Sequence, residues 1–290
     1  MRWRKPVQTT RVRESAQPSG SAIKDIGFYL YCFARAQAVE GIMCIGVDES
    51  QPVNGLSVKG ITAVFSPVSL PEFVGDGAWS RLENPAWVLP RVCRHERVIE
   101  EVMERSPVLP VRFGSMFTST QVLMDLLDRK GPEISGFLDL LSDKQEWSVK
   151  CFADMDKSRD WLLGSDPEFA QKRKRAPSSP GARYLHERHL HLRADKKARQ
   201  GWPAAAEQVR NELKDQAHKT CPLRLQPRSV SGRREEMILN CAFLLGRDSI
   251  TNFQAHVESL NAARRGRGIT VELSGPWPPY SFCPSIAETP

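Results

Sequence analysis

The side chains best suited to acid–base chemistry stand together at His95-Glu96-Arg97. A histidine beside a carboxylate could exchange a proton, but catalysis also needs a positioned nucleophile or a second carboxylate, and the spacing supplies neither. His95 shares the apolar face of a predicted helix with Val98 and Val102. We therefore predict a packed, hydrogen-bonded histidine, no enzyme activity, and a structural or partner-binding role for His95 and Glu96.

Arg112 is the second polar residue of interest, because it lies inside the apolar segment Val108-Leu-Pro-Val-Arg-Phe-Gly114. A guanidinium in such a segment must find an acceptor if it is buried. Glu96 or Glu100 could provide one, so we predict a structural ion pair, with contact to a partner protein as the alternative. Phe113 and Gly114 join the candidate structural or partner-binding residues.

The segment Tyr184-Leu-His-Glu-Arg-His-Leu-His191 suggests a metal site at first sight. His186 and His189 share a helical face, but His191 does not, and no carboxylate or cysteine completes a ligand set. The seven cysteines include no CxxC pair, and the glycines form no phosphate-binding loop. We predict no metal, no cofactor and no disulfide framework.

The segment from Trp277 to Phe282 combines rigid backbone with large rings. Pro276, Pro278 and Pro279 favour an extended path and lack backbone donors, so we expect the chain to leave the last strand here. Trp277, Tyr280 and Phe282 offer apolar area at low entropic cost. We expect this segment to pack on the N-terminal domain, with presentation to a partner as the alternative.

The net charge of +7 is unevenly placed. Residues 1–24 carry six Lys/Arg and one acid, residues 171–200 carry ten and two, and the remainder therefore has a charge of −6. A nucleic-acid-binding or regulatory role through the basic tail and Lys172-Arg-Lys-Arg175 is thus the weaker alternative, since the body is acidic. We predict a solvated basic linker. The absence of an apolar run of about 20 residues predicts a cytoplasmic protein without membrane contact.

These residues must be positioned by elements whose periodicity alternates between strand and helix. The N-terminal part predicts strands at 27–34, 43–47, 58–66 and 108–114, and helices at 90–105, 118–129 and 132–141. The C-terminal part predicts strands at 146–152, 223–230, 236–246 and 268–273, and helices at 154–163, 184–218 (interrupted near Gly201 to Pro203) and 250–265. This order, βαββαβ, is the ferredoxin-like arrangement.

We therefore predict an α+β fold with two domains, an N-terminal mixed α/β domain and a C-terminal modified ferredoxin-like domain. The predicted segments are a disordered basic tail at 1–26, the first domain at 27–144, the second at 145–283 with a basic linker near 170–182, and a tail at 284–290.

Several motifs together resemble the gas vesicle F/L family over about residues 27–283. They are Phe28-Tyr-Leu-Tyr31, His95-Glu-Arg-Val98, Val108-Leu-Pro-Val-Arg-Phe-Gly-Ser-Met-Phe117, Glu146-Trp-Ser-Val-Lys150 and Leu273-Ser-Gly-Pro-Trp-Pro-Pro-Tyr-Ser-Phe282. The basic N-terminal tail and the histidine-rich segment depart from the family pattern, and the motifs fit the F and L types equally.

The resemblance implies an accessory or minor shell protein in the formation of gas vesicles, which are hollow, protein-walled buoyancy organelles. It implies binding to the major gas vesicle shell protein and to other gas vesicle accessory proteins during shell assembly. On this reading Trp277, Pro278, Pro279, Tyr280 and Phe282 are candidate structural or partner-binding residues, as His95, Glu96, Arg112, Phe113 and Gly114 are.

Overall fold

The computed structural model describes residues 26–36, 41–74 and 77–284. The predicted basic tail at 1–26 and the predicted tail at 284–290 lie outside these ranges, apart from Ile26 and Pro284. Contacts divide the chain into two compact units. Among the described residues, one unit comprises residues up to Asp143 together with 278–284, and the other runs from Lys144 to Trp277. The predicted C-terminal domain includes residues 278–283, which the contacts assign to the first unit.

The first unit combines strands of two to ten residues with two long helices. Its elements, in chain order, are β1 (Ile26–Arg35), β2 (Asn54–Val58), β3 (Ile61–Ser69), α1 (Leu70–Phe73), α2 (Ala78–Leu82), α3 (Pro85–Met103), β4 (Val108–Pro110), β5 (Met116–Phe117) and α4 (Thr120–Leu140). The strand order is β2-β3-β1-β4, with β5 also pairing to β1, and every described pair is antiparallel. The core lies between this sheet and the apolar face of α3.

Several elements of the first unit differ from the prediction. Where a strand was expected at 43–47, the chain forms an isolated bridge from Ile45 to Pro52. The strand expected at 58–66 is a hairpin, because Lys59 and Gly60 both adopt positive φ, 49° and 83°, and reverse the chain. The two helices expected on either side of Pro132 form the single helix α4. Its N-terminus is capped by Ser119, and it buries apolar side chains on both sides of the proline, so packing stabilises the continuous helix.

The second unit has helices packed on one four-stranded antiparallel sheet. Its elements, in chain order, are β6 (Lys144–Ala153), α5 (Met155–Ser165), α6 (Pro167–Lys174), α7 (Pro180–Lys214), β7 (Lys219–Pro222), α8 (Arg228–Ser231), β8 (Glu236–Gly246), α9 (Ile250–Arg265) and β9 (Ile269–Trp277). The sheet order is β7-β8-β6-β9, which places the first strand of the unit between the third and the fourth. This is the split arrangement of a βαββαβ unit.

The basic segment predicted as a linker near 170–182 is largely helical. Residues up to Lys174 belong to α6, whose N-terminus is capped by the Asp166 side chain, and α7 already begins at Pro180. α7 also continues through Gly201 and Pro203 to Lys214, where the sequence predicted an interruption. Trp202 and Ala206 are buried on either side of Pro203, and this packing offsets the local loss of about 3 kcal/mol that a helical proline brings.

The last two strands of the prediction also need correction. The strand expected at 223–230 lies earlier, at Lys219–Pro222, and a short helix, α8, follows it. The final strand was expected to end at Leu273, but β9 continues through Pro276 to Trp277, which pairs with Glu146. A proline is tolerated there because β9 is an edge strand, where a residue without an N–H need not remove a hydrogen bond from the ladder.

Candidate functional site

His95 is held at the centre of the first unit by the way α3 begins and packs. The Asn84 side chain accepts a hydrogen bond from the backbone N–H of Ala86 at 3.0 Å and so caps the helix. Three turns later His95 lies on the same face as the buried residues Val98 and Val102. The imidazole is fully buried. The helical spacing in the sequence therefore predicts this placement correctly.

Both ring nitrogens of His95 have protein partners. Nε2 lies 3.1 Å from the carbonyl oxygen of Val111, which can only accept, so Nε2 carries the proton. Nδ1 then accepts a hydrogen bond from the Tyr29 hydroxyl at 3.0 Å, and that hydroxyl accepts one from the backbone N–H of Gly114 at 3.0 Å. Burial lowers the pKa of His95 to about 4. The neutral tautomer is thus fixed by the surrounding fold.

Aromatic rings enclose the imidazole on several sides. The ring centroids of Tyr29, Tyr31 and Phe113 lie 5.6, 5.7 and 5.7 Å from that of His95. Tyr29 and Phe113 meet it edge to face, a favoured geometry for aromatic pairs. The Tyr31 hydroxyl accepts a hydrogen bond from the backbone N–H of Val47 at 2.8 Å and forms another with the Ser66 hydroxyl at 2.7 Å. This arrangement joins β1, β3 and α3.

Tyr29 and Tyr31 are members of this site that were not among the predicted site residues. Both lie in the opening strand, where residues two apart point to the same side of the sheet, so they face α3 together. Two tyrosines at that spacing signal hydroxyl groups that need buried partners. The partners of Tyr29, a histidine and a backbone amide more than 60 residues away, leave no local signature.

The turn after β4 brings Phe113 and Gly114 to the histidine. Arg112 O accepts from the backbone N–H of Ser115 at 3.2 Å and from its hydroxyl at 2.7 Å, which closes the turn. Gly114 has φ of +86°, and a Cβ added there would meet no atom within 4 Å. Its glycine is therefore required by backbone conformation and not by crowding. The strand predicted to reach Gly114 accordingly ends at Pro110.

Arg112 does not form the predicted structural ion pair. Its side chain is exposed, and within residues 26–36, 41–74 and 77–284 no carboxylate pairs with it. The reason is the turn, which begins at Arg112 and carries it out of the strand before its guanidinium can be buried. Glu96, one of the two carboxylates proposed for it, has a different partner.

That partner is Tyr280, from the C-terminal segment. Its hydroxyl donates to Glu96 Oε1 at 2.9 Å, and the hydroxyl oxygen lies 3.3 Å from His95 Nε2. Burial and the neighbouring Glu96 charge raise the pKa of Tyr280, so the hydroxyl stays a donor. Burial also raises the pKa of Glu96, and the hydrogen bond from Tyr280 opposes that rise. The segment therefore ties α3 to the end of the chain.

The rest of the C-terminal segment follows the same surface. Pro278 and Pro279 are buried, and Phe282 is half-buried. The Cys283 thiol lies 3.8 Å from the carbonyl oxygen of Pro110, at the end of β4. The expectation that this segment packs on the N-terminal part of the chain agrees with these contacts for residues 278–283.

Trp277 does not join this group. It ends β9 in the second unit, remains 43% exposed, and donates from Nε1 to the Ser274 hydroxyl at 3.2 Å. The sequence pattern predicts Trp277 and Tyr280 to be parts of one docking segment. The structure separates them, because the ladder with β6 holds the chain as far as Trp277 and Pro278 is the first residue of the segment that returns to the first unit.

The histidine-rich segment lies on the first turns of α7. His186 Nε2 is 3.0 Å from the carbonyl oxygen of Lys172, so it links the start of α7 to the end of α6. His189 and His191 are exposed. Over the described residues, no group of three or more His, Cys, Asp and Glu side chains is arranged to hold a metal ion. Likewise, no described helix is long and apolar enough to span a bilayer.

The fold defines a mixed α+β protein with two antiparallel sheets, and solved proteins of this kind are known. The crystal structure of the gas vesicle protein GvpF from Anabaena sp. PCC7120 matches with a TM-score of 0.64 at 22% identity, over 89% of this chain and 98% of that chain. GvpF from Microcystis aeruginosa matches with a TM-score of 0.60 at 20% identity, over 89% and 99%. At these identities the likeness establishes the fold.

Membership of a family follows from the sequence. The profile of the family described as Gas vesicle synthesis protein GvpL/GvpF matches residues 27–284, and the chain belongs to this family of gas vesicle accessory proteins. The resemblance stated from the motifs is therefore confirmed.

Relatives of both types are similar to the chain. Gas vesicle protein L of Streptomyces sp. (strain CB03234) is 28% identical, over 89% of this chain and 93% of the relative. Gas vesicle protein F of the same strain is 26% identical, over 65% and 75%. Gas vesicle protein L2 of Halobacterium salinarum is 25% identical, over 93% and 96%.

Proposed function

We propose that this chain acts in gas vesicle formation by binding, and that it contacts the major shell protein and other accessory proteins in the cytoplasm while the shell assembles. The observation that carries the proposal is the family match over residues 27–284. The relatives are named as gas vesicle proteins L and F. On this proposal the chain carries out no turnover and holds no cofactor.

The geometry around His95 supports a structural role for it. Both ring nitrogens are occupied by protein atoms, and a substrate would have to break those hydrogen bonds to reach them. Its low pKa keeps the ring neutral near pH 7, whereas general acid–base catalysts work best with a pKa close to the operating pH. We therefore assign His95, Glu96, Phe113 and Gly114 to the support of a binding surface.

The proposed binding surface, which His95 and its neighbours hold in place, includes Arg112 and the Tyr280 ring. Arg112 is exposed one residue after Val111, whose carbonyl contacts His95. Tyr280 remains 37% exposed although its hydroxyl donates a hydrogen bond to Glu96. Arginine and tyrosine are enriched among the residues that dominate binding energy at protein interfaces. We propose that this surface meets the major shell protein.

Substitution of Arg112 by alanine tests the proposal. We expect an unchanged melting temperature, because the side chain is exposed, and binding to purified shell protein weakened about 30-fold, as for an interface residue worth about 2 kcal/mol. Vesicle yield, counted by electron microscopy in cells whose only copy is the variant, should fall in parallel. Arg129→Ala is the matched control, since Arg129 is also exposed and, among the described residues, donates a hydrogen bond to a carbonyl of its own helix. Equal binding by both variants and the wild type would remove Arg112 from the interface.

A further inference from the structure

The first turns of α7 stand apart from the core. Between Pro180 and His189 no side chain is buried, and the buried seam of the helix begins at Leu190. At 1.5 Å per residue these ten residues extend about 15 Å. His186 connects this part of α7 to the rest of the unit through a hydrogen bond with the Lys172 carbonyl at the end of α6. The side chains of this part of α7 are therefore accessible to solvent around most of the helix.

Two leucines occupy the outer face of this helix. Leu185 is 56% exposed and Leu192 is 59% exposed. They are seven residues apart, which places them on one face two turns from each other. The buried seam of Leu190, Ala194 and Ala198 lies on the opposite side at the same level. Exposed leucines at heptad spacing form the kind of row that a second helix covers.

The cations of α7 divide according to the same two faces. Arg193 and Lys197, near the buried seam, pair with Glu168, and Lys197 also pairs with Asp166 at 2.6 Å. Arg188, Lys196 and Arg199, which surround the leucine row, are exposed and have no ion pair to another described residue. The inner charges are thus neutralised within the unit, while the outer charges remain available to a partner.

We infer that the outer face of α7, defined by Leu185, Arg188, Leu192, Lys196 and Arg199, binds an acidic amphipathic helix of another vesicle-assembly protein. The identity of the partner as an assembly protein rests on the proposed function; the chemistry of the face does not. Carboxylates complement the unpaired cations, and apolar side chains with seven-residue spacing cover the leucines.

The other occupants fit this face less well. Nucleic acid would engage the cations through its phosphates, but it would leave two leucines exposed between them. A second copy of this chain would bring the same segment, with ten Lys/Arg and two acids in residues 171–200, against itself. Like charges in apposition disfavour such pairing.

The test uses the full-length protein and a defined probe. The probe is a fluorescein-labelled 21-residue helical peptide with leucine at heptad positions a and d and glutamate at most others, and a scrambled peptide of equal composition is its control. Binding is followed by fluorescence anisotropy for the wild type, for Leu185→Glu with Leu192→Glu, and for Leu225→Glu with Val230→Glu. Leu225 and Val230 are exposed residues of the same unit outside α7, so the second variant matches the first in chemistry.

We expect the α7 variant to bind at least tenfold more weakly, the control variant to bind within twofold of the wild type, and both to keep the wild-type melting temperature. The affinity should also fall as salt is raised. Equal binding of the scrambled peptide, or equal binding of the α7 variant, would overturn the inference.

The same titration with a single-stranded RNA 20-mer and with phosphatidylserine vesicles gives the remaining outcomes. If either binds the wild type as tightly as the peptide and loses affinity in the α7 variant, the face recognises phosphate and the inference is wrong. Normal vesicle formation in cells that lack this chain would instead overturn the proposed function, and the peptide titration would still decide what the α7 face binds.

Discussion

The hydroxyl of Tyr280 donates a 2.9 Å hydrogen bond to the carboxylate of Glu96, although the two residues are 184 positions apart. The bond connects the C-terminal segment to α3, and its oxygen also lies 3.3 Å from the buried His95. Because Glu96 follows His95 directly, the segment and the histidine are parts of one network.

Removal of the Tyr280 hydroxyl tests how much its hydrogen bond to Glu96 contributes to stability. Tyr280→Phe deletes one hydrogen bond to a carboxylate and keeps the ring, so we expect the free energy of unfolding to fall by about 1–2 kcal/mol. Tyr184→Phe is the control, since Tyr184 is 62% exposed on α7 and should change stability by less than about 0.5 kcal/mol. Urea denaturation followed by circular dichroism measures both. Identical midpoints for the two variants would show that the bond contributes nothing to stability.

The buried His95 predicts a pH dependence with a definite sign. Its pKa is about 4 in the folded protein and 6.5 for an ordinary histidine, so on acidification the unfolded chain takes up the proton first. Stability should therefore fall as the pH drops from about 6.5 to about 4, by about 3 kcal/mol in total, and this effect should vanish above pH 7.

Comparison with a variant isolates this contribution. The raised pKa of Glu96 acts in the opposite direction, because a carboxyl that holds its proton more tightly when folded stabilises the fold at low pH. His95→Gln retains Glu96 and removes the imidazole, so its stability should fall less steeply than that of the wild type between pH 6.5 and 4. Unfolding measured at half-unit intervals of pH gives both slopes, and parallel slopes would contradict the assignment of a low pKa to His95.

Two glycine substitutions should have opposite effects. Gly114 has φ of +86°, so Gly114→Ala places a side chain in left-handed backbone and should destabilise by about 1–2 kcal/mol even though the space is open. Gly136 lies exposed inside α4, with no positive φ and no atom within 4 Å of an added Cβ. Gly136→Ala should therefore stabilise by about 0.5–1 kcal/mol. Melting temperatures that move in the same direction would refute the account of Gly114.

Trp277 and Trp202, two of the tryptophans of the second unit, allow a test of partner binding. Trp277 is 43% exposed, so Trp277→Ala should lower the free energy of unfolding by about 1 kcal/mol or less, while vesicle assembly falls if the ring contacts a partner. Trp202 is 5% exposed in α7, so Trp202→Ala should lower it by about 3–5 kcal/mol. Chemical denaturation and electron microscopy of vesicles are the measurements. A large stability loss at Trp277 would show that its role is internal.

Local sequence determined the elements whose periodicity is strong. β8 and α9 have the predicted bounds, Glu236–Gly246 and Ile250–Arg265. The helical face that carries His95 was also predicted, as was a strand at 146–152 that the structure extends to Lys144–Ala153, because alternating and helical spacing are properties of neighbouring residues. The family motifs are likewise readable without coordinates.

Tertiary structure decided the rest. The continuity of α7 through Pro203 depends on burial of Trp202 and Ala206, which sequence propensity does not include. Arg112 is exposed because a turn intervenes, although its neighbours are apolar.

The partnership of Tyr280 with Glu96 is the clearest case. Tyrosine and glutamate each have an ordinary local context, and only the return of the chain to the first unit brings them within 2.9 Å. Periodicity describes which way a side chain points within its own element, whereas the partner it meets depends on how distant elements pack.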